Sequence, residues 1–365
     1  MREKVSIKNV CGDIPAKRTI LFFILIFTCL LLTLNGGCAT MDKGKSEDYI
    51  NYISFSNDGK KILFDRQKGV GPYMINVYDL VRGELRAYES PTGEKWSMAR
   101  YSFDGKHIVF SVTPIERGSY NIDDMQLAVM SPEGKNIKRI TNTNGPKIFP
   151  SFSHAGDKVI FAKAGTIRKS GHTPATDFDV YEVDINTGKE TRLTRFNFFE
   201  LYPPFYFSND KAFIYSAGYP KMGTRLETEK MRKELSSRYK ENTIYVMQGG
   251  EKDLKPYFEF NTYSSRPLLS ADGKHIFFES YGDPLTKGGW TQYYHYSPEG
   301  RHRCITNKKG FSMLLSGAVS ADGELLAVVY DYNSEHKIVV YQVKDGTSKE
   351  ISLPDQPSHI INRNK

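Results

Sequence analysis

The sequence predicts an all-β chain: one six-bladed β-propeller with four antiparallel strands in each blade. Three observations carry this. A short turn phrase recurs six times, each copy is followed by an apolar alternation, and a second strand-turn-strand phrase completes each unit. Composition agrees, with 23 Tyr and 22 Phe against 2 Trp, because Tyr and Phe favour pleated, half-buried strands.

The first copy of the turn phrase is Phe55-Ser56-Asn57-Asp58-Gly59. It returns as Tyr101-Ser102-Phe103-Asp104-Gly105, Phe152-Ser153-His154-Ala155-Gly156 and Phe207-Ser208-Asn209-Asp210, then as Leu269-Ser270-Ala271-Asp272-Gly273 and Val319-Ser320-Ala321-Asp322-Gly323. Apolar runs follow, among them Ile62-Leu63-Phe64, Ile108-Val109-Phe110 and Phe213-Ile214-Tyr215. Asp-Gly between two such runs supplies the positive φ that a tight turn between twisted antiparallel strands requires, so each copy reads as a hairpin. The third and fourth copies depart from the phrase, having Ala155-Gly156 and Asp210-Lys211 in its place.

The second phrase is an alternating strand, a turn with Gly, and a strand ending in an apolar-Thr or apolar-Ser pair. Val180-Tyr181 with Gly188 before Leu193-Thr194 is one case, and Tyr294-His295-Tyr296 with Gly300 before Ile305-Thr306 is another. Each unit therefore holds four short strands, with 46 to 62 residues between successive turn phrases. Four antiparallel strands make a propeller blade. A lone blade exposes both apolar faces to water, whereas six around an axis bury those faces against one another.

The phrase aromatic-Ser-x-Asp-Gly-Lys-x-apolar-x-Phe is similar to the PD40 (WD40-like) repeat of TolB-type propellers, and the resemblance covers residues 48–354. It implies a TolB-like propeller. TolB-type proteins also carry an α/β domain ahead of the propeller. The stretch between Cys38 and Tyr49 has no room for one, so partner contacts of that domain are not expected here.

Residues 1–37 read as an export signal. Arg2, Lys4, Lys8, Lys17 and Arg18 give a basic start, and 19–34 is an uncharged, mostly apolar run of sixteen residues, short of the ~20 that span a bilayer. Asn35-Gly36-Gly37-Cys38 resembles the lipobox of bacterial lipoproteins, with Asn35 where that pattern has Leu. Acylation of Cys38 and an anchor in the membrane follow from the resemblance, with an uncleaved signal anchor as the alternative. Residues 38–47 are then a linker and 355–365 a C-terminal tail. Of the four cysteines only Cys38 and Cys304 remain after cleavage, so no disulfide framework is expected, and Cys304 reads as a small buried hydrophobe. The formal charge after cleavage is +5, from basic residues scattered rather than gathered in a stripe, which argues against nucleic acid.

In a propeller, the turns between first and second strands share one face, whereas second-to-third and blade-to-blade connections share the other. The long insertions 114–124, 164–177, 219–242 and 281–291 all fall on that second face, where binding is expected. Segment 224–241 places Leu226, Met231, Leu235 and Tyr239 at helical spacing and reads as an amphipathic helix, either a lid on its own blade or a partner-binding element. Trp96, Phe149, Phe198, Phe199, Tyr202, Tyr263, Trp290 and Phe311 fall on the same face as candidate binding aromatics, with packing between blades as the competing reading.

Catalytic patterns are missing from the sequence. There is no Gly-x-Ser-x-Gly elbow, no His-Glu-x-x-His and no Gly-rich phosphate loop, so no metal, cofactor or enzymatic role is expected. Asp58, Asp104, Asp210, Asp272 and Asp322 are explained by turn chemistry, and His107 and His275 flank turns. The expectation is an envelope lipoprotein, in the outer membrane or at the surface, acting as a non-enzymatic scaffold for another envelope protein or a cell-wall or surface glycan. The alternative is a saccharide- or small-ligand-binding propeller, or a lyase-like enzyme at the channel mouth. Convergent charged groups at that mouth favour the enzyme, and an aromatic rim favours binding.

Overall fold

The computed structural model describes residues 48–361 apart from 70, 168–174, 219–241, 249–255, 258–263, 281–290, 307–312 and 333–334. The export signal, Cys38 and the segment 224–241 lie outside the described residues. The described chain is all β and forms six blades of four antiparallel strands. Blade 1 runs Asp48–Phe55, Lys61–Lys68, Met74–Asp79 and Leu85–Glu89, from the axis outward. The innermost strands of the next two blades are Glu94–Tyr101 and Lys147–Phe152. In blade 4 the inner strand is split into Glu200–Leu201 and Phe205–Tyr206, and Ser264–Leu269 and Met313–Val319 begin blades 5 and 6.

The apolar alternation works as a ring requires. Ile62 and Phe64 pack with Ala327 and Val329 of blade 6, while Leu63 between them packs with Trp96 and Phe110 of blade 2. Ile108 and Phe110 look back to blade 1, and Val109 looks forward to Phe152 and Phe161 of blade 3. Each second strand thus buries one set of side chains on either neighbour, which is why no blade is stable alone.

The turn phrase works differently from its sequence reading. In the five copies that have glycine, only the glycine takes positive φ, from 67° at Gly59 to 76° at Gly156 and Gly323. The aspartate acts through its side chain: Ser56 Oγ donates to Asp58 Oδ1 at 2.6 Å, Lys60 N–H donates to the same oxygen at 3.1 Å, and Lys61 N–H donates to Ser56 Oγ at 3.0 Å. Blades 2 and 5 repeat this with Ser102–Asp104 and Ser270–Asp272 at 2.7 and 2.6 Å. The two departures complement each other. In blade 4 the inner strand ends at Tyr206 rather than Phe207, Asn209 takes the aspartate's place, and Asp210 sits where glycine should, with φ of 52°. Its carboxylate accepts from the His154 and Ala155 N–H groups at 2.7 and 2.9 Å, tying the fourth turn to the third, where Ser153 Oγ donates to Asp157 Oδ1 at 2.9 Å in place of the missing aspartate.

The apolar-Thr pairs continue the ladder where the fourth strand leaves it. Thr141, Thr194 and Thr306 accept through Oγ1 from the N–H groups of Leu127, Val180 and Tyr293 at 2.8 to 2.9 Å. Segment 355–365, read from the sequence as a tail, includes a strand. His359–Ile361 pairs in parallel with the outer strand of blade 1, so the end of the chain returns to the blade where the propeller begins. Cys304 is exposed rather than buried, because His302–Cys304 is the outermost strand of blade 5.

Candidate functional site

Of the five aromatics expected on the binding face that fall among the described residues, four are buried packing groups. Trp96 is buried against Phe110, with centroids 4.8 Å apart, and its indole N–H donates to Glu94 Oε2 at 2.9 Å. Phe198 is wholly buried between blades 3 and 4, and Phe199 is half-buried. Phe149 and Tyr202 are buried on the axis. Tyr263, Trp290 and Phe311 lie outside the described residues. Trp96, Phe149 and Tyr202 therefore present no outward surface, since apolar area gains more by filling blade interfaces than by facing water.

The axis is filled by a device that the sequence does not announce. Inner strands carry an irregularity three residues before their last aromatic or apolar position, and Tyr52, Met98, Phe149 and Arg266 there take left-handed φ of 45–58°. Tyr52 of blade 1 meets Phe149 of blade 3 at 5.9 Å, Phe149 meets Tyr202 at 6.4 Å, and the Arg266 guanidinium lies 5.3 Å from the Tyr202 ring centre. Blades 1 and 3 are not neighbours, so they touch across the axis and plug it.

Above this plug, on the face of the blade-to-blade connections, six side chains from blades 1, 2 and 6 form the strongest candidate site. Tyr49, Tyr73, Tyr120 and His336 are half-buried and make a rim. The Tyr49 ring lies 6.3 Å from Tyr73 and 4.8 Å from His336, and Tyr73 lies 6.5 Å from Tyr120. Below them Lys95 is buried with its ammonium 3.8 Å from the Tyr73 ring centre and 4.9 Å from that of Tyr120, a cation–π arrangement. Asp65 is 2 % exposed. Its Oδ2 accepts from Met98 N–H at 2.9 Å, while Oδ1 is buried with no hydrogen-bond partner.

Burial raises the Asp65 carboxyl well above the usual carboxylate range, against the Met98 hydrogen bond and the charge of Lys95, which lower it. Burial also lowers the Lys95 ammonium, and Asp65 partly offsets that. A buried carboxyl and a buried amine, with one carboxyl oxygen unmatched, form a primed polar site under an aromatic rim. Of these residues only Tyr120 falls on an insertion that the sequence singled out. Lys95 and Asp65 carried a usable signal nonetheless, being charges inside strands whose counterparts in other blades are mostly apolar or small.

Other sequence candidates have structural roles. Hydrogen bonds from the serines Ser56 and Ser102 lead in holding Asp58 and Asp104 below their ordinary pKa. His107 sits beside Phe152 at 6.4 Å, whereas His275 places Nδ1 2.9 Å from Nε2 of His295. Among the described residues no group of three or more His, Cys, Asp or Glu side chains is placed to hold a metal.

No family model matches the chain, and no curated protein matches its sequence. Solved structures do match its fold. TolB from Acinetobacter baumannii aligns with a TM-score of 0.58 at 16% identity, over 94% of this chain and 72% of that one. The fold is TolB-like. An oligogalacturonate lyase from Vibrio parahaemolyticus aligns at 0.53 and 16% identity, over 86% of this chain and 80% of that one. A puromycin-hydrolyzing peptidase of Mycobacterium tuberculosis aligns at 0.53 and 9% identity, over 86% of this chain and 55% of that one.

These neighbours correct the expectation of a non-enzymatic chain. The same propeller occurs in proteins described as a lyase and a peptidase, so neither the fold nor missing catalytic motifs in the sequence sets this chain apart from enzymes.

Proposed function

We propose that this chain is an envelope protein, lipid-anchored through Cys38, whose propeller binds a polyhydroxylated ligand of the saccharide type, from cell wall or surface glycan, at the mouth between blades 1, 2 and 6. The observation that carries this is the tyrosine rim over a buried Asp65 whose Oδ1 lacks a partner. Phenol rings offer flat apolar faces for a sugar ring and hydroxyls for its edges. The buried Oδ1 accepts a sugar hydroxyl, replacing the cost of about 1–3 kcal/mol of an unmatched buried oxygen with a hydrogen bond. Lys95 beneath keeps the local charge balanced and favours sugars that carry an acidic group.

Titration of cell-wall and acidic oligosaccharides onto the full-length protein tests the reading, with Tyr73→Ala, Tyr120→Ala and Asp65→Asn alongside. Saturable binding by the wild type, weakened about tenfold or more by each substitution, is expected. Wild-type protein that takes up no sugar, or substitutions that leave affinity unchanged, would remove the basis for this site. Cys38→Ser tests the anchor separately, since it should release the protein from membranes.

A further inference from the structure

The opposite end of the axis, on the face of the Asp-Gly turns, holds a cavity of about 80 Å³ lined by Ser54, Arg100, Ser151, Phe205, Leu269 and Ala318, among others. Arg100 is the one charged residue in that lining. Five of these residues sit on the inner strands next to the turn, and the blades there otherwise contribute a hydroxyl or an apolar group. The Arg100 guanidinium lies over the Phe205 ring, 4.7 Å from its centre, and makes no hydrogen bond or ion pair with any described residue. Burial lowers its pKa to about 10, and the Tyr293 phenol is the neighbour that offsets this. Tyr293 is wholly buried, and its hydroxyl has no hydrogen-bond partner.

We infer that this cavity is a binding site for a small carboxylate, held by the Arg100 guanidinium with help from the hydroxyl of Ser151. A half-buried arginine with five donors and no acceptor among the described residues is open to an anion, and its planar fork matches a carboxylate. The cavity has room for a carboxylate group and its methyl. This site is on the other side of the plug from the tyrosine rim and does not depend on the saccharide reading.

Sodium formate and sodium acetate are the probes, titrated calorimetrically into the full-length protein, with sodium chloride at matched ionic strength as the comparison and Arg100→Gln and Tyr293→Phe as variants. The expected result is saturable, one-to-one uptake of formate and acetate, at least about tenfold weaker in Arg100→Gln and less affected by Tyr293→Phe. In anion-free buffer Arg100→Gln should unfold at the same or a higher temperature than wild type, because it deletes an uncompensated cation. Wild-type protein that binds neither acid in preference to chloride overturns the inference whatever the variants do. So does unchanged affinity in Arg100→Gln, or a marked loss of stability there, which would make the arginine a structural strut.

Discussion

The His275–His295 pair gives the fold a dependence on pH whose sign and size follow from geometry. His295 is 8 % exposed, stacks on Phe277 at 4.7 Å and on His275 at 5.1 Å, and shares one proton with His275 across 2.9 Å. Burial first, then the neighbouring His275 and Arg303, lower its pKa from 6.5 to about 4. As pH falls from ~6.5 toward ~4, the unfolded chain takes up a proton that the folded chain refuses, so stability is lost across that window. A shift of that size caps the loss near ~3 kcal/mol, and water reaching the half-buried His275 brings the expected figure to about 2. His295→Phe keeps the stacking and removes the proton site. Urea unfolding of both proteins from about pH 7 to about pH 4.5 should show the wild type losing about 2 kcal/mol more than the variant. Carboxylates titrating in the same range affect both alike and cancel in the difference. Parallel stability profiles would refute the reasoning.

Two further substitutions probe the packing. A Cβ at Gly317 would lie 2.5 Å from Cζ and the hydroxyl oxygen of the buried Tyr293, so Gly317→Ala should cost about 1–3 kcal/mol in thermal or urea unfolding, and adding Tyr293→Ala should cost less than the sum of the two. Asp210→Ala removes the acceptor for two N–H groups of the third turn and should cost about 1–3 kcal/mol by the same measurement, with Asp210→Asn recovering most of it.

The ring was legible because a propeller states its architecture six times, and an error in one copy hardly matters. The fourth copy shows this: the phrase aligns Phe207 with Phe55, yet the strand ends at Tyr206, since Asn209 replaces the aspartate one place early. The candidate sites were poorly legible for the converse reason. Aromatics such as Trp96 and Phe149 drew attention by their size and position, and they are buried because the blade interfaces and the axis need filling. Lys95 and Arg100 are the only cations at their positions in the six inner strands, and Asp65 shares an acidic side chain only with Glu279 of blade 5, so a search for repetition passes over them. Strand irregularities at Tyr52 and Met98 left no mark either, because left-handed backbone at a non-glycine residue is imposed by the neighbouring blades rather than by local preference.

One strand, Glu94–Tyr101, joins the two ends of the axis. Lys95 stands at the tyrosine rim, Arg100 five residues on stands in the carboxylate cavity, and Met98 between them belongs to the plug. At about 3.3 Å per residue the two cations are ~16 Å apart, too far for direct interaction through packed protein to matter much. The backbone offers a shorter route. The Met98 N–H is held by Asp65 Oδ2, so a ligand that draws on the Asp65 carboxylate also acts on the irregularity that turns the strand toward Arg100. The two ends are therefore separate in chemistry but joined along one strand by the hydrogen bond from Met98 to Asp65.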